Sequence, residues 1–510
     1  MRHTDSGFPP SSIPPWVGLL PLALFLGLHP HLTFGSTLSW HDLQRTEQIL
    51  LFASCALLLT VLQPLRHAWG TVLNAPPRSA HNVLLAIFLL GSLSTLMAEH
   101  VTAALLEIAH VVLLLSLAAY VAALLHLQPE YYRRAIPIIV VLAAGLLLAK
   151  FVANYALGLF LGQPADINLI VDGYSNIRHF AQFQSWSLPL LLLPLLLPGQ
   201  FSRWLRVAAF SAAAGWWVLL YLGVPRGTLI GLLAGGVLVA VVFRRQAVTF
   251  LRWLLLSAIA GGLAWFLLFL AVPGAFGLGN KTAILATSLG RDIAVTNDRL
   301  ELWMRAVDLI TEHPLLGAGP MHYACTSGQA VYSHPHSFPL QFASEWGLPA
   351  AALLALLSGW ALYVWLRQCR QLVNAPEHHA ETKLRIVLTA ALVTAGTHSL
   401  VSGVMVMPVS QVMFALVTGF SFALWNQRRE RHPVHAMYRW PRYFLPLLAL
   451  VFVLGVSLPQ AFRQTEAVAA YQAKYRAMPY PGYWHQGNIC EWPIAWWEAY
   501  PSPPVPVSAR

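Results

Sequence analysis

One polar stretch, Asn297 to Gly347, interrupts a very apolar chain and brings His334, His336, Arg299 and Arg305 together in a short span of sequence. A neutral imidazole can take a proton from a hydroxyl, and guanidinium forks match phosphate oxygens two at a time, so these residue types suit displacement chemistry on a phosphorylated substrate. Polarity of this kind beside membrane-spanning segments is costly unless binding or catalysis uses it. His336 stands out from His334. Ser337 is a good helix N-cap and Pro339 is tolerated in a first turn, so the sequence predicts a helix that starts here and runs on into the next span. The positive end of that helix would keep His336 neutral and able to accept a proton. Gln341 and Glu345, four residues apart on one helix face, are placed to orient a substrate or the histidine. Arg226 in VPRGTL, Arg299, and Arg178 in GYSNIRHF supply cations suited to a lipid-linked phosphate or diphosphate. For each of them the plainer alternative is an interfacial arginine with no ligand. His334 and His336 with His322 have imidazole spacing seen in zinc sites. The proline between the first two and the lack of a completing carboxylate or thiolate pattern argue against that, and no metal is expected.

The elements that must position these residues follow from composition. With 510 residues, 57% hydrophobic and 10% charged, the chain cannot be an ordinary soluble domain. Scanning for apolar runs near bilayer length predicts an all-α polytopic membrane protein of about 12–13 transmembrane helices. The runs extend from Trp16–Phe34 to Tyr443–Leu458, and the sixth, Trp186–Leu197, is interrupted by Pro189 and Pro194. The expected organisation is a cytoplasmic N-terminal tail (1–15), N-terminal membrane helices (16–272), a large periplasmic loop between spans 9 and 10 (273–342), C-terminal membrane helices (343–458) and a periplasmic tail (459–510). With the N-terminus inside, most of the 31 Lys and Arg fall in cytoplasmic segments, which places the polar stretch outside. The net charge of +11 fits contact with anionic lipid; the basic residues form no stripe, so no nucleic acid is expected as a partner. The first apolar run has no small-residue cleavage site after it and reads as an anchor. Within the large loop, Asp298–Thr311 carries Leu300, Trp303, Val307 and Ile310 at helical spacing, the pattern of a surface amphipathic helix, and His313-Pro314 with Gly317 and Gly319 ends it. Cys325 and Cys490, both exterior, are able to pair if they meet in an oxidising compartment. The aromatic tail with Trp484, Trp492, Trp496 and Trp497 reads as interfacial anchoring or as a sugar-stacking surface.

Taken together, these motifs resemble the bacterial O-antigen ligase and polymerase superfamily, which includes the O-linked protein oligosaccharyltransferases. The resemblance rests on Asn297 and Arg299, Glu301 and Trp303, the His313–Gly319 turn, His336-Ser337 leading to Gly347, and Arg226-Gly227, over about 125 residues. Ala350 and Ser337 depart from the usual ligase residues and leave the branch open. The resemblance implies a GT-C-type helical bundle in the bacterial inner membrane and an inverting, metal-independent glycosyltransferase with no cofactor. Its donor would be a glycan on undecaprenyl diphosphate and its acceptor lipid A core, a pilin-like protein or another repeat unit. It also implies that His336 is the general base, with Arg226, Arg299 and Arg178 on the diphosphate and with His334, Asn297, Ser337, Gln341 and Glu345 in support. A secondary transporter or glycan flippase is the alternative from another class, but the chain shows no internal repeat.

Overall fold

A computed structural model describes residues 14–32, 38–162, 171–277, 297–325, 333–373, 375–428, 443–457, 459 and 483–484. Among them the fold is helical throughout, and a helix stands on each apolar run of the sequence. The helices are α1 (Trp16–Leu28), α2 (Trp40–Val61), α3 (Gln63–Leu73), α4 (Arg78–Ser94), α5 (Val101–Leu127), α6 (Pro129–Phe160), α7 (Ile177–Leu191), α8 (Arg203–Gly223), α9 (Arg226–Phe243), α10 (Val248–Phe266), α11 (Asn297–Glu312), α12 (Phe338–Trp346), α13 (Leu348–Leu372), α14 (His379–Ser399), α15 (Pro408–Gln427) and α16 (Tyr443–Ser457).

Among the described residues six helical stretches are long and apolar enough to cross a membrane, or seven if α2 and α3, bent by 107°, form one span. This is fewer than the 12–13 expected. The physical reasons are local: α1 has 13 residues and α4 has 17, short for a crossing, and the stretch through α9 and α10 runs unbroken as helix. That stretch nevertheless turns at Arg244, where φ is +50°, and its two halves pack on different partners, α9 on α14 and α10 on α8.

The bundle has two distinct ends. At one, Lys383 donates to the Gln246 carbonyl, Glu381 pairs with both Arg385 and Arg428, and Arg133 bonds Gln427. At the other lie the N-termini of α7, α9 and α13 and the C-terminus of α14. The interior is held by α5 against α15 and by α9 against α14. Glycines make the second contact close. A Cβ at Gly231 would meet the Thr394 carbonyl oxygen at 2.4 Å, and one at Gly235 would meet the Ala390 carbonyl oxygen at 2.9 Å. Small residues at four-residue spacing let two membrane helices approach along their backbones. By contrast, α13 stands out from the core, with Leu356 and Tyr363 exposed, and packs on α4. Between this pair and the α5–α15 core opens a cavity of about 2370 Å³.

Candidate active site

Three separate helix starts carry the arginines. The chain leaves α8 through Val224, whose φ of +39° is unfavourable for a β-branched residue, and Pro225 then opens α9 at Arg226. Asn176 caps α7 by accepting the Arg178 backbone N–H at 2.8 Å, which fixes Arg178 and His179 in its first turn. Arg299 lies in the first turn of α11, whose first residue is Asn297. The three guanidinium groups converge. Partial burial, then the charges of Arg178 and Arg226, hold Arg299 below its ordinary value, although it remains a cation at any working pH.

His336 faces this cluster. Burial, then the charges of Arg299, Arg178 and His179, lower its pKa from 6.5 to about 3. The ring is therefore neutral, as the sequence suggests, with burial and the arginine charges as causes. Its backbone is strained at φ +54° and is fixed from both sides. The Trp303 indole N–H donates to the Pro335 carbonyl at 3.0 Å, and the His336 N–H donates to His334 Nδ1 at 3.2 Å. The two imidazoles meet edge to face with centroids 4.3 Å apart. Ser337 occupies the N-cap position of α12, but its side chain makes no capping bond. Nor does the helix run on into the span. It ends at Gly347, φ +83°, and α13 starts afresh at Leu348. The His313–Gly319 turn docks on this break: Ala318 and Gly319 donate to the Ser344 and Glu345 carbonyls, and Leu348 donates to that of Pro314.

Gln341 and Glu345 share contacts of their own. Glu345 Oε1 accepts the Tyr323 N–H at 3.2 Å, and Gln341 Nε2 lies 3.4 Å from Oε2. Burial, then the Glu107 carboxyl of α5, push the Glu345 carboxyl well above its usual range, so it is held protonated. These residues line the large cavity, together with Glu107, His110 and His334. His334 is buried, and burial is the main cause that keeps it neutral. It thus touches His336 on one side and the cavity on the other.

Other expectations change. In α11 the face packed inward is Leu302, Ala306 and Leu309, against Tyr323, while Leu300 and Val307 of the expected stripe are exposed. Arg305 lies over the Tyr323 ring at 5.6 Å, apart from the other arginines. His322 stacks on His100. Among the described residues no group of three or more His, Cys, Asp or Glu is placed to hold a metal ion. Cys325 is disulfide-bonded and Cys55 and Cys369 are free; Cys490 lies outside the described residues, as do Trp492, Trp496 and Trp497. Trp484 is buried beside Tyr483, whose ring covers Arg45, so it serves neither an interface nor a sugar face.

Three groups escaped the sequence reading: His179, Glu107 and His398. The last two sit inside spans, where a lone ionisable residue is itself a signal of function. His398 Nδ1 lies 2.8 Å from Ser185 Oγ and 3.3 Å from Thr228 Oγ1, and Arg299 is close enough to act on it electrostatically.

Among the described residues the protein is thus an all-helical, multi-pass membrane protein with three helix-start arginines near a neutral, strained histidine. Residues 207–355, from α8 into α13, match the family described as O-antigen ligase, so this stretch carries a domain of the O-antigen ligase superfamily. The match includes Arg226, Arg299 and His336 and leaves out Arg178 and His398. No curated protein matches the chain. The match supports activity of the ligase or polymerase type in general.

Proposed function

We propose that this protein transfers a glycan from a polyprenyl diphosphate, undecaprenyl diphosphate in bacteria, to an acceptor hydroxyl on the periplasmic side of the inner membrane. The observation that carries the reading is a neutral His336 beside Arg299 and Arg178, with Arg226 beside Arg299. His336 takes the acceptor proton, the acceptor oxygen forms a bond to the anomeric carbon, and the carbon–oxygen bond to phosphate breaks, its electron pair leaving with the lipid diphosphate. The arginines hold that diphosphate and stabilise the charge that grows on it. Inversion at the anomeric carbon follows from a single displacement. Orientation is supported by the opposite end of the bundle, where Arg133, Arg385, Arg428 and Lys383 gather, as cytoplasmic ends do.

Reconstitution with a lipid-diphosphate-linked glycan and three acceptors, lipid A core, a pilin and a second repeat unit, tests the reading and selects among ligase, protein glycosylation and polymerase. His336→Ala should lower transfer by roughly 10²–10⁴-fold, the range for a general base, at unchanged protein level. Unchanged transfer in that variant would remove His336 from the mechanism.

A further inference from the structure

His398 and the start of α9 form a feature that the arginines and His336 leave unexplained. His398 is 4% exposed, and its ring rests on Gly227: a Cβ there would meet Cδ2 at 2.3 Å and Nε2 at 2.8 Å. Any side chain at position 227 would displace it. On the other side of the ring, Nδ1 faces two hydroxyls. Ser185 Oγ is at 2.8 Å and Thr228 Oγ1 at 3.3 Å, while each hydroxyl also lies 3.1 Å from the Ala181 carbonyl oxygen. The two hydroxyls also lie 3.2 Å from each other. Where Nδ1 accepts from Ser185 Oγ and Thr228 donates to the carbonyl, the ring proton sits on Nε2. That nitrogen has no protein partner among the described residues, and it lies against the first turn of α9.

That turn has no side-chain cap from Pro225, and the Gly227 and Thr228 N–H groups precede the first helical bond, Leu229 N–H to the Pro225 carbonyl. Here an uncapped helix start, an unpartnered N–H on a buried ring, and the charges of Arg226 and Arg299 meet. All of them donate or are positive, which selects an anion with free lone pairs.

We infer that His398, with its proton on Nε2, and the first turn of α9 form the floor of the phosphate site beneath Arg226 and Arg299, and bind a non-bridging oxygen of the donor diphosphate. The inference rests on the diphosphate reading above. Ser185 and Thr228 act as positioning residues that fix the tautomer. As the bond from the anomeric carbon to phosphate breaks, negative charge grows on the phosphate and the Nε2–H bond strengthens, so His398 assists departure without moving its proton.

The test is binding of farnesyl diphosphate, a short polyprenyl diphosphate, to the full-length protein in detergent by calorimetry. His398→Asn keeps a polar atom near Nδ1 and loses the Nε2 donor; it should weaken binding roughly ten- to hundredfold, the span for a hydrogen bond to a charged group. His398→Gln, whose amide reaches the Nε2 position, should recover most of the loss. The paired exchange Ser185→Ala with Thr228→Val should weaken binding less than His398→Asn does. Folded His398→Asn protein that binds like wild type, while Arg226→Ala loses binding, overturns the role of His398 and leaves the diphosphate reading in place. If Arg226→Ala and Arg299→Ala also bind like wild type, the diphosphate reading falls. If His398→Asn fails to fold, the paired Ser185 and Thr228 exchange decides: wild-type binding there overturns the inference.

Discussion

Acidification should leave His336 unprotonated far below the pH at which an ordinary histidine takes up a proton. Its pKa lies at about 3 against an ordinary 6.5, a preference for the neutral ring of about 5 kcal/mol. At pH 5 about 99% of such a ring is neutral, whereas an ordinary imidazole is about 3% neutral, a contrast of roughly thirtyfold. Diethyl pyrocarbonate acylates only neutral imidazole, so the rate of His336 labelling, read by peptide mass spectrometry without any substrate, should stay flat from pH 8 to pH 5. The donor-dependent kcat/KM should show no His336 limb in the same range. Arg299→Gln removes the second-largest cause and raises the value, yet leaves it below 6.5, because burial is the larger cause. Bound diphosphate opposes the arginine charges, so the acid limb of kcat should lie above that of kcat/KM. The sign for stability follows. A histidine whose folded value is depressed stabilises the fold above 6.5, and that contribution is lost as the pH falls toward about 3, at most about 2 kcal/mol by pH 5. Labelling of wild-type His336 that halves near pH 6.5 would refute this account of the site.

Two further outcomes test its supports. Gly347→Ala forces φ +83° on an L-residue and drives a Cβ to 2.3 Å from the Leu315 carbonyl oxygen, so the melting temperature in detergent should fall by the equivalent of about 2 kcal/mol or more; a wild-type melting temperature would mean that the His313–Gly319 turn is not docked there. Glu345→Gln should melt with wild type at pH 5 and above it at pH 8, because a carboxyl with a raised folded value stabilises below its unfolded value and loses that contribution as the pH rises through the folded one; a variant less stable at both pH values would show that the carboxylate form is needed.

The loop was legible because its polarity contrasts with its surroundings: Arg226 follows Pro225, His336 follows Pro335, and Arg299 opens a stretch with helical spacing. The helices were legible as apolar runs, though not their number as crossings, which depends on bends such as the 107° break between α2 and α3. What stayed hidden were polar groups within apolar runs. His398, Ser185 and Glu107 disappear in a mean over twenty residues, and only packing shows which face they occupy. The role of Gly227 was hidden for the same reason. It is part of a motif in sequence, but its purpose, to admit the His398 ring, belongs to the register of α9 on α14.

That register divides the site. On one side of His336 stand the arginines and the first turn of α9; on the other, through His334, lies the cavity lined by Glu345, Glu107 and His110. The two sides differ in the chemistry they offer. The first presents only donors and positive charge, which suits a departing diphosphate. The second presents a protonated carboxyl and an amide, which exchange hydrogen bonds with hydroxyls, in a wall that also includes Arg45 and Glu107. A displacement with inversion needs the nucleophile and the leaving group on opposite faces of the anomeric carbon, with the base on the nucleophile's side. On the proposed mechanism, His336, held in a strained backbone between the two compartments, would reach an acceptor hydroxyl entering by the cavity while the arginines retain the lipid diphosphate.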